Sequence, residues 1–295
     1  MTDFVKTFVH PEDAAALELL KKVPGFDKLM KKVLDLGAER MLYGVNMASK
    51  IRISERQKPE LYHRLVKICK RLNIDVPELY LEMNPVPNAY TFGDTRICIV
   101  VTSGLLQYLK DDEVDSVLAH ECGHILCHHV LYSTMAQIIT EGGAAFGLLG
   151  PFYLPLEYAL LYWSRKSELS ADRVGALVSG VDTVVRTQLR LAGGPEEITS
   201  DINIEEWASQ ADSYEDIRTA SKWDKFLQIL AVSSLDHPFA AVRVREIMKW
   251  TKTDGYQQAF EYIDHHEVTV KNECPRCHAE VRPEFQYCPY CNNKL

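Results

Sequence analysis

Two histidines and a glutamate near the middle of the chain have the types and the spacing of a metal-dependent hydrolytic site. They stand in the run His120-Glu121-Cys122-Gly123-His124, an H-E-x-x-H motif. A helix advances about 6 Å over four residues and returns to nearly the same face, so both imidazoles can reach one metal ion. The carboxylate of Glu121 then lies where it can remove a proton from water. The spacing therefore predicts a catalytic zinc site.

The residues around the motif predict that it lies on a helix. Asp111 or Asp112 can cap the N-terminus of this helix. Apolar residues recur at helical spacing at Val114, Val117, Leu118, Ile125 and Leu126. A short motif of this kind arises by chance in about 1 of 100 chains of this length. The helical context is therefore what favours a metal site over a chance match.

A catalytic zinc ion needs a third protein ligand, because only its fourth position is left for water. The extended motif with a third histidine is ruled out, since Cys127 and Val130 occupy its glycine and histidine positions. A carboxylate on a later helix is the other choice, and Glu168 fits it. Asp172, one turn further on, can hydrogen-bond the free nitrogen of a ligand histidine. The alternative for both carboxylates is a solvated helix face shared with neighbouring basic residues.

Two further candidates for catalysis lie nearer the C-terminus. His237 precedes Pro238 at a predicted helix start, and Arg243 lies two turns later. Either side chain could stabilise the negative oxygen of a tetrahedral intermediate. A purely structural role for His237 is the alternative.

Strand-like segments lie immediately before the metal helix, at residues 79–83, 88–92 and 97–101. Turn sequences rich in proline, glycine and asparagine separate them. They predict a small antiparallel sheet. Its exposed edge could pair with an extended peptide, or the sheet could serve only as a floor under the helix.

Helical patterns dominate the rest of the chain, so the predicted fold class is α+β and mainly helical. Further helices are predicted at residues 55–72, 182–192, 204–211 and 223–235. We divide the chain into N-terminal helices at residues 1–72, a catalytic domain at 73–263, a linker at 264–273 and a small module at 274–295.

The small module contains four cysteines in two C-x-x-C units: Cys274, Cys277, Cys288 and Cys291. Four thiolates at this spacing predict a tetrahedral structural zinc site. A zinc ribbon of this size has too little core to fold without its metal. It could dock a partner protein or deliver substrate. The remaining cysteines are isolated in apolar surroundings, which predicts reduced core thiols.

Charge and composition narrow the class of protein. The 295 residues are 46% hydrophobic and 25% charged, as is usual for a globular protein. The net charge of -8 argues against nucleic acid as a main partner. The N-terminus has no continuous apolar core and is not a secretory signal. With cysteines that suit metal rather than disulfides, these features predict a cytoplasmic location.

One long apolar segment, residues 142–163, complicates this location. It carries a single charge, at Glu157, and is long enough to suggest a membrane span. Glycine and proline residues interrupt it repeatedly. Three interpretations stay open: a buried helical hairpin or lid, which the helix breakers favour, a peripheral contact with a membrane surface, and insertion.

Taken together, the order and spacing of these motifs resemble the HtpX-like family of zinc metallopeptidases. The motifs are Asn88-Ala89, Val101 to Leu106, Asp112 to Ile125, Glu168 to Gly175 and His237-Pro238. The resemblance covers about residues 75–250, and it implies a gluzincin-type fold and endopeptidase activity. Position by position, it implies zinc binding by His120, His124 and Glu168, catalysis by Glu121, support by Asp172, and a substrate groove along Asn88 and Ala89. A task in protein quality control is a further expectation, although the long uninterrupted spans of the membrane members are missing here.

The predicted function is that of a zinc metalloendopeptidase with one catalytic and one structural zinc ion, acting on a protein or peptide substrate. Two alternatives stay open. One is a zinc-bearing adaptor or chaperone that uses the groove to hold other proteins, and the other is an amidase acting on a small substrate. The intact Glu121 argues against a site without activity.

Overall fold

The computed structural model describes residues 3–26, 30–31, 37–142, 154–221, 239–265, 274–279, 281 and 286–294. In chain order the helices are α1 (Asp3–Phe8), α2 (Pro11–Lys21), α3 (Ala38–Ser49), α4 (Pro59–Leu72), α5 (Ser103–Tyr108), α6 (Asp111–Leu126), α7 (Val130–Gly142), α8 (Leu154–Ser179), α9 (Val181–Gly193), α10 (Glu196–Thr199), α11 (Ile204–Ala220), α12 (Ala240–Trp250) and α13 (Asp254–His265). The strands are β1 (Ile51–Ile53), β2 (Glu78–Glu82), β3 (Ala89–Phe92) and β4 (Cys98–Thr102). The mainly helical α+β class is confirmed.

The sheet is mixed, and the prediction of an antiparallel sheet was wrong. The strand order is β1-β2-β4-β3. Strands β2 and β4 run parallel, with Glu78 opposite Cys98, whereas β1 and β3 pair antiparallel with β2 and β4. Strand β1 was not predicted. All five residues of β4 are buried, because this central strand is covered on both faces and therefore needs a continuous apolar run.

The loop between β2 and β3 explains the mixed order. It crosses the C-terminal end of β4, where Gly104 N donates to Asn84 O at 2.9 Å. In the same place Thr102 Oγ1 donates to Val86 O at 2.8 Å. The crossing is tight, since a Cβ on Gly104 would lie 2.3 Å from Pro85 O. Strand β3 therefore joins the outer edge of β4, instead of entering between β4 and β2.

Among the described residues, the largest apolar core lies between the sheet, α4, α6 and α8. Leu65, Ile99, Leu118 and Val174 come from these four elements, and each is fully buried. Phe8 of α1 belongs to the same core. Helix α6, which carries the H-E-x-x-H motif, is thus held on several sides, and this fixes the direction of its polar side chains.

A second core joins α2, α7 and the beginning of α8. It includes Leu156, Leu160 and Trp163, which belong to the apolar segment predicted as hairpin, lid or membrane contact. Residues 154–163 of that segment thus pack on the protein, although Tyr158 and Tyr162 are exposed. Residues 143–153 lie outside the described part of the chain. Among the described helices, none combines the length and the apolar character that crossing a membrane requires.

Several helix boundaries differ from the predicted ones. Helix α4 begins at Pro59 and not at residue 55, because Ser54 and Gln57 close a bridged turn before it. Helix α11 continues to Ala220, beyond the predicted end at residue 211. Helix α13 includes the first two residues of the predicted linker. The predicted helix at 223–235 lies outside the described residues.

Candidate metal centre

Helices α6 and α8 approach closely enough to bring their polar side chains to one point. Gly123 lies at the contact, where an added Cβ would lie 3.0 Å from both Ala171 Cα and Val174 Cβ. Even a methyl group at this position would push the two helices apart. The glycine of the H-E-x-x-H motif therefore sets the distance between the helices that carry the predicted ligands.

Three side chains from these two helices converge as predicted. His120 Nε2 lies 3.2 Å from His124 Nε2. The carboxylate oxygens of Glu168 lie 3.3 Å from each of these two nitrogens. A tetrahedral zinc ion with bonds of about 2.0–2.1 Å keeps its ligand atoms about 3.3 Å apart. The spacing of the three side chains therefore fits a zinc ion, and His120, His124 and Glu168 are the residues that would hold it.

The charge around the site also suits a cation. Burial by itself lowers the pKa of His120, but hydrogen bonds to Asp172 and Glu168, together with their negative charges, outweigh burial and raise this pKa to about 10. The field that retains a proton on this imidazole would equally favour a divalent cation beside it.

Asp172 lies behind His120, where the sequence predicts it. Its Oδ1 is 3.0 Å from His120 Nδ1, the nitrogen that faces away from the other ligands. Arg243 of α12 donates to both carboxylate oxygens of Asp172, at 2.6 and 2.5 Å. Burial acts to raise the pKa of Asp172, but the charge of Arg243 and the hydrogen bonds lower it below its ordinary value. The lowered pKa favours the carboxylate form of Asp172, which can accept a hydrogen bond from His120 Nδ1 and orient the imidazole.

Arg243 therefore has a role besides the predicted one. Its planar guanidinium group forms a two-point hydrogen-bonded pair with the carboxylate of Asp172. Its Nη1 lies 3.2 Å from Glu168 Oε2. It holds together two carboxylates that would otherwise repel each other. An oxyanion role for Arg243 stays a prediction, since it would require an N–H group turned towards the substrate. His237, the other candidate for this role, lies outside the described residues.

Glu121 faces the edge strand β3. Thr91 Oγ1 donates to Glu121 Oε2 at 2.6 Å, and both side chains are buried. This bond fixes the orientation of the carboxylate that is predicted to accept a proton. Thr91 was not predicted from the sequence, because a threonine in a strand gives no signal that separates such a contact from ordinary packing.

A cavity of about 370 Å³ opens beside Glu121. The predicted substrate residues Asn88 and Ala89 line one side of it. Its other walls are largely apolar and include Leu105, Tyr108, Val117, Val184 and Leu191. Strand β3 is the last strand of the sheet in the described part of the chain, so the cavity and a sheet edge lie side by side.

A further histidine lies buried behind His124. The Nδ1 atom of His129 is 3.1 Å from His124 Nδ1, and its Nε2 is 3.0 Å from Asp13 Oδ2 of α2. Burial lowers the pKa of His129 in spite of this carboxylate. His128, the neighbouring residue, is exposed. Asp13 was not predicted as part of the site, because it is 116 residues away from His129 in the chain.

The four C-terminal cysteines form a second candidate metal cluster. The sulfur atoms of Cys274 and Cys291 are 3.6 Å apart, and those of Cys277 and Cys288 are 3.5 Å apart. A disulfide bond would require about 2.05 Å, whereas tetrahedral zinc with bonds of 2.3 Å keeps sulfur atoms about 3.8 Å apart. The distances therefore fit the predicted ribbon site. Four cysteines outside it are buried and form no disulfide bond, which agrees with the prediction of core thiols: Cys69, Cys98, Cys122 and Cys127.

The backbone of the ribbon supports the ionised form of one of its cysteines, Cys274. Burial acts to raise the pKa of Cys274, but N–H groups of Cys277 and Arg276 lower it to about 7. The ribbon also contacts α4. Arg276 Nε lies 2.8 Å from Glu60 Oε1, and the ring of Tyr290 lies 4.7 Å from that of His63.

Comparisons with known proteins point in the same direction. A family model described as Peptidase family M48 matches residues 55–251. The chain is 34% identical over 254 residues to the plastoglobule-localized metallopeptidase 48, chloroplastic, of Arabidopsis thaliana, a match that covers 85% of this chain and 74% of that protein. It is 33% identical over 190 residues to a protease HtpX homolog of a Sulfurihydrogenibium species, covering 54% of this chain and 62% of that protein. A protease HtpX homolog of Pyrococcus abyssi is 30% identical over 156 residues, covering 43% and 54%. The chain thus spans less than two thirds of the length of these two HtpX homologs. Helix α2 and the ribbon lie outside the residues that the family model matches.

Proposed function

The chain belongs to peptidase family M48, and from this premise we propose that it is a zinc-dependent endopeptidase with a gluzincin-type ligand set. Membership of the family implies protease activity. The roles of the individual residues and the nature of the substrate are what we propose. The observation that supports it most is the convergence of His120, His124 and Glu168 from two helices, with Glu121 beside them.

Each residue of the site has a chemical task in this proposal. Zinc bound by the two histidines and Glu168 would polarise the scissile carbonyl and make water acidic enough to react near neutral pH. Glu121 takes a proton from the attacking water and returns it to the leaving amine. Thr91 holds the Glu121 carboxylate in place, while Asp172 and Arg243 hold the ligands from behind. Arg243 or His237 could also assist the oxyanion.

The groove supports an extended peptide as substrate. A peptide strand could pair with the outer edge of β3, the last strand among the described residues, beginning near Asn88 and Ala89, and place its carbonyl next to Glu121. The apolar walls of the cavity would then accept a large apolar side chain. Burying such a side chain contributes about 1.5–3 kcal/mol, so we expect cleavage next to apolar residues to be preferred by about 10-fold or more.

Location and partners are part of the same proposal. We propose a cytoplasmic enzyme that takes part in protein quality control, with a structural zinc ion in the ribbon and the ribbon as a docking site for a partner protein. The name of the plant relative places that protein at plastoglobules, which supports a peripheral contact with lipid through residues 142–163. Flotation of the full chain with anionic liposomes would test this contact. Recovery of the chain in the protein-only fraction would contradict it.

Three variants measured together test the catalytic proposal. The unaltered chain should hold two zinc ions and cleave an unfolded protein such as casein. Glu121→Gln should keep both ions and lose about 10²–10⁴-fold in turnover. Glu168→Gln should keep only the ribbon ion and also be inactive. Full cleavage by Glu121→Gln would refute the proposal.

The same measurements separate the rival functions. Two zinc ions without cleavage of any protein or peptide would favour an adaptor or chaperone. Products mapped by mass spectrometry from a peptide library would distinguish an endopeptidase from an amidase that acts on small substrates.

A further inference from the structure

Three buried side chains form a continuous hydrogen-bonded row behind the metal centre. The row runs from His124 through His129 to Asp13, with nitrogen–nitrogen and nitrogen–oxygen distances of 3.1 and 3.0 Å. Asp13 and His129 are each only 2% exposed. The row connects α2, near the N-terminus, to a predicted zinc ligand on α6.

Asp13, at the end of the row, determines which nitrogen of each histidine carries a proton. The carboxylate of Asp13 can only accept, so His129 must donate to it from Nε2. Neutral His129 then has a bare Nδ1, which accepts the Nδ1 proton of His124. This leaves Nε2 of His124 without a proton, and a nitrogen must be without a proton to bind a metal ion.

The opposite arrangement would block the site. If His129 donated from Nδ1, His124 would have to accept at its own Nδ1 and carry its proton on Nε2. That proton would point at His120 Nε2, 3.2 Å away, where the metal ion belongs. Of the two arrangements, only the one that Asp13 imposes is compatible with a bound metal.

We propose that Asp13 is a positioning residue of the metal centre, which acts through His129 to hold His124 in the tautomer that binds the metal. This inference rests on the proposed function, because it requires a metal ion at His124. It makes α2, which lies outside the residues matched by the family model, a part of the catalytic unit. Asp13 of α2 would then support metal binding from behind the ligands, whereas α8 supplies the ligand Glu168 itself.

Asp13 is also held firmly in place. Ser170 Oγ donates to its Oδ2 at 2.5 Å, and Trp163 Nε1 donates to its Oδ1 at 3.1 Å. Both donors belong to α8, the helix of Glu168. The carboxylate thus receives donors at both oxygens and cannot turn. An asparagine at position 13 would have an N–H donor in place of one carboxylate oxygen. It would therefore no longer require His129 to carry its proton on Nε2.

The first experiment measures metal affinity in Asp13→Asn. Cobalt(II) replaces zinc for this purpose, because the thiolate ribbon and the nitrogen- and oxygen-ligated site give different absorption spectra and can be titrated separately in one full-length chain. We expect the affinity at the histidine–glutamate site to fall about 10–100-fold, as for other residues that orient metal ligands. The affinity of the ribbon should stay unchanged and serves as internal reference.

Arg173→Met is the matched control. Arg173 also fastens the N-terminal helices to α8, since its Nη1 donates to Phe8 O at 3.1 Å and lies 3.4 Å from Val9 O. Its loss should lower the melting temperature without changing the cobalt affinity of either site. Unchanged affinity in Asp13→Asn, or an equal fall in Arg173→Met, would overturn the inference.

A second measurement needs no variant, in case Asp13→Asn does not fold. Long-range ¹H–¹⁵N spectra of the zinc-loaded, unaltered chain report which nitrogen of each histidine carries a proton. The inference requires protons on His124 Nδ1 and His129 Nε2, and a proton on His129 Nδ1 would refute it. If the unaltered chain binds only the ribbon zinc, the proposed function itself fails, and this result is distinct from either outcome above.

Discussion

Replacing Arg243 by methionine separates a role in holding the ligands from a role in the chemistry. The guanidinium makes two hydrogen bonds with Asp172 and lies 3.2 Å from Glu168, and it is buried. Methionine has a similar length and fills much of the same space, but leaves both carboxylates without their counter-charge. If Arg243 holds the ligands, both stability and zinc affinity must fall.

The size of the effect follows from burial. Removing one partner of a buried ion pair costs about 3–5 kcal/mol. In a chain of this size each kcal/mol lowers the melting temperature by about 2–4 °C, so we expect a decrease of roughly 6–20 °C. Loss of support for the ligands should weaken zinc binding about 10–100-fold. Melting has to be compared at one fixed concentration of free zinc, because bound metal itself stabilises the folded state.

Arg186→Met is the matched control for this prediction. Arg186 also pairs with an aspartate, Asp112, at 2.7 Å, but the two side chains are 40% and 54% exposed. Exposed pairs contribute about 0–1 kcal/mol, so this variant should melt within about 4 °C of the unaltered chain and keep its zinc. The same substitution at the two positions therefore isolates the effect of burial.

A double variant, Arg243→Met with Asp172→Leu, makes the test sharper. Replacing both partners of a buried pair by apolar side chains is often close to neutral for stability. The double variant should therefore melt higher than Arg243→Met alone, although its zinc affinity should stay low because His120 has lost Asp172. Arg243→Met that keeps its melting temperature and zinc affinity but loses turnover would refute our reasoning and favour the oxyanion role.

Four further predictions follow from other contacts. Gly123→Ala should separate α6 from α8, cost about 1–3 kcal/mol and remove zinc from the histidine–glutamate site, as metal analysis would show; retained zinc would contradict it. Thr91→Val should lower kcat about 10-fold, because the hydrogen bond to Glu121, the proposed catalytic base, is lost, with zinc content unchanged. Cys277→Ser should leave one zinc ion per chain and keep peptidase activity measurable on casein. The hydrogen bond from His10 lowers the pKa of Glu246 to about 2. Because this folded-state pKa lies below the ordinary 4.5, the stabilisation by Glu246 is present above about pH 4.5 and lost as the pH falls towards 2. The difference in melting temperature between the unaltered chain and Glu246→Gln should therefore shrink over this range, and a constant difference would contradict it.

Features that depend on spacing along one element could be predicted from the sequence. His120 and His124 share a face because the helical repeat places residues four apart together, and Glu168 and Asp172 share one for the same reason. The cysteine pairs of the ribbon are equally local. The mixed sheet was not predicted, because the order of strands depends on how the loop before β3 crosses β4 and packs on Gly104. No strand pattern contains that information.

The contacts that orient the site were beyond prediction for a related reason. Thr91 contacts Glu121, Arg243 contacts Asp172, and Asp13 contacts His129 only because helices and strands distant in sequence pack side by side. The local patterns of one sequence do not reveal which faces will meet, since several faces are apolar enough to pack.

The sequence by itself determined the chemistry available to this protein: two imidazoles and a carboxylate that suit zinc, a glutamate that can move a proton, and four thiolates for a second ion. Backbone geometry within single helices and turns is enough to place those groups. Only the tertiary structure decided that α6 and α8 meet at Gly123, so that the groups share one point, and that α2 supplies the carboxylate behind His124. The physical reason is that ligand geometry within one helix is a local property, whereas the direction of protons and charges around a buried site depends on every element packed against it.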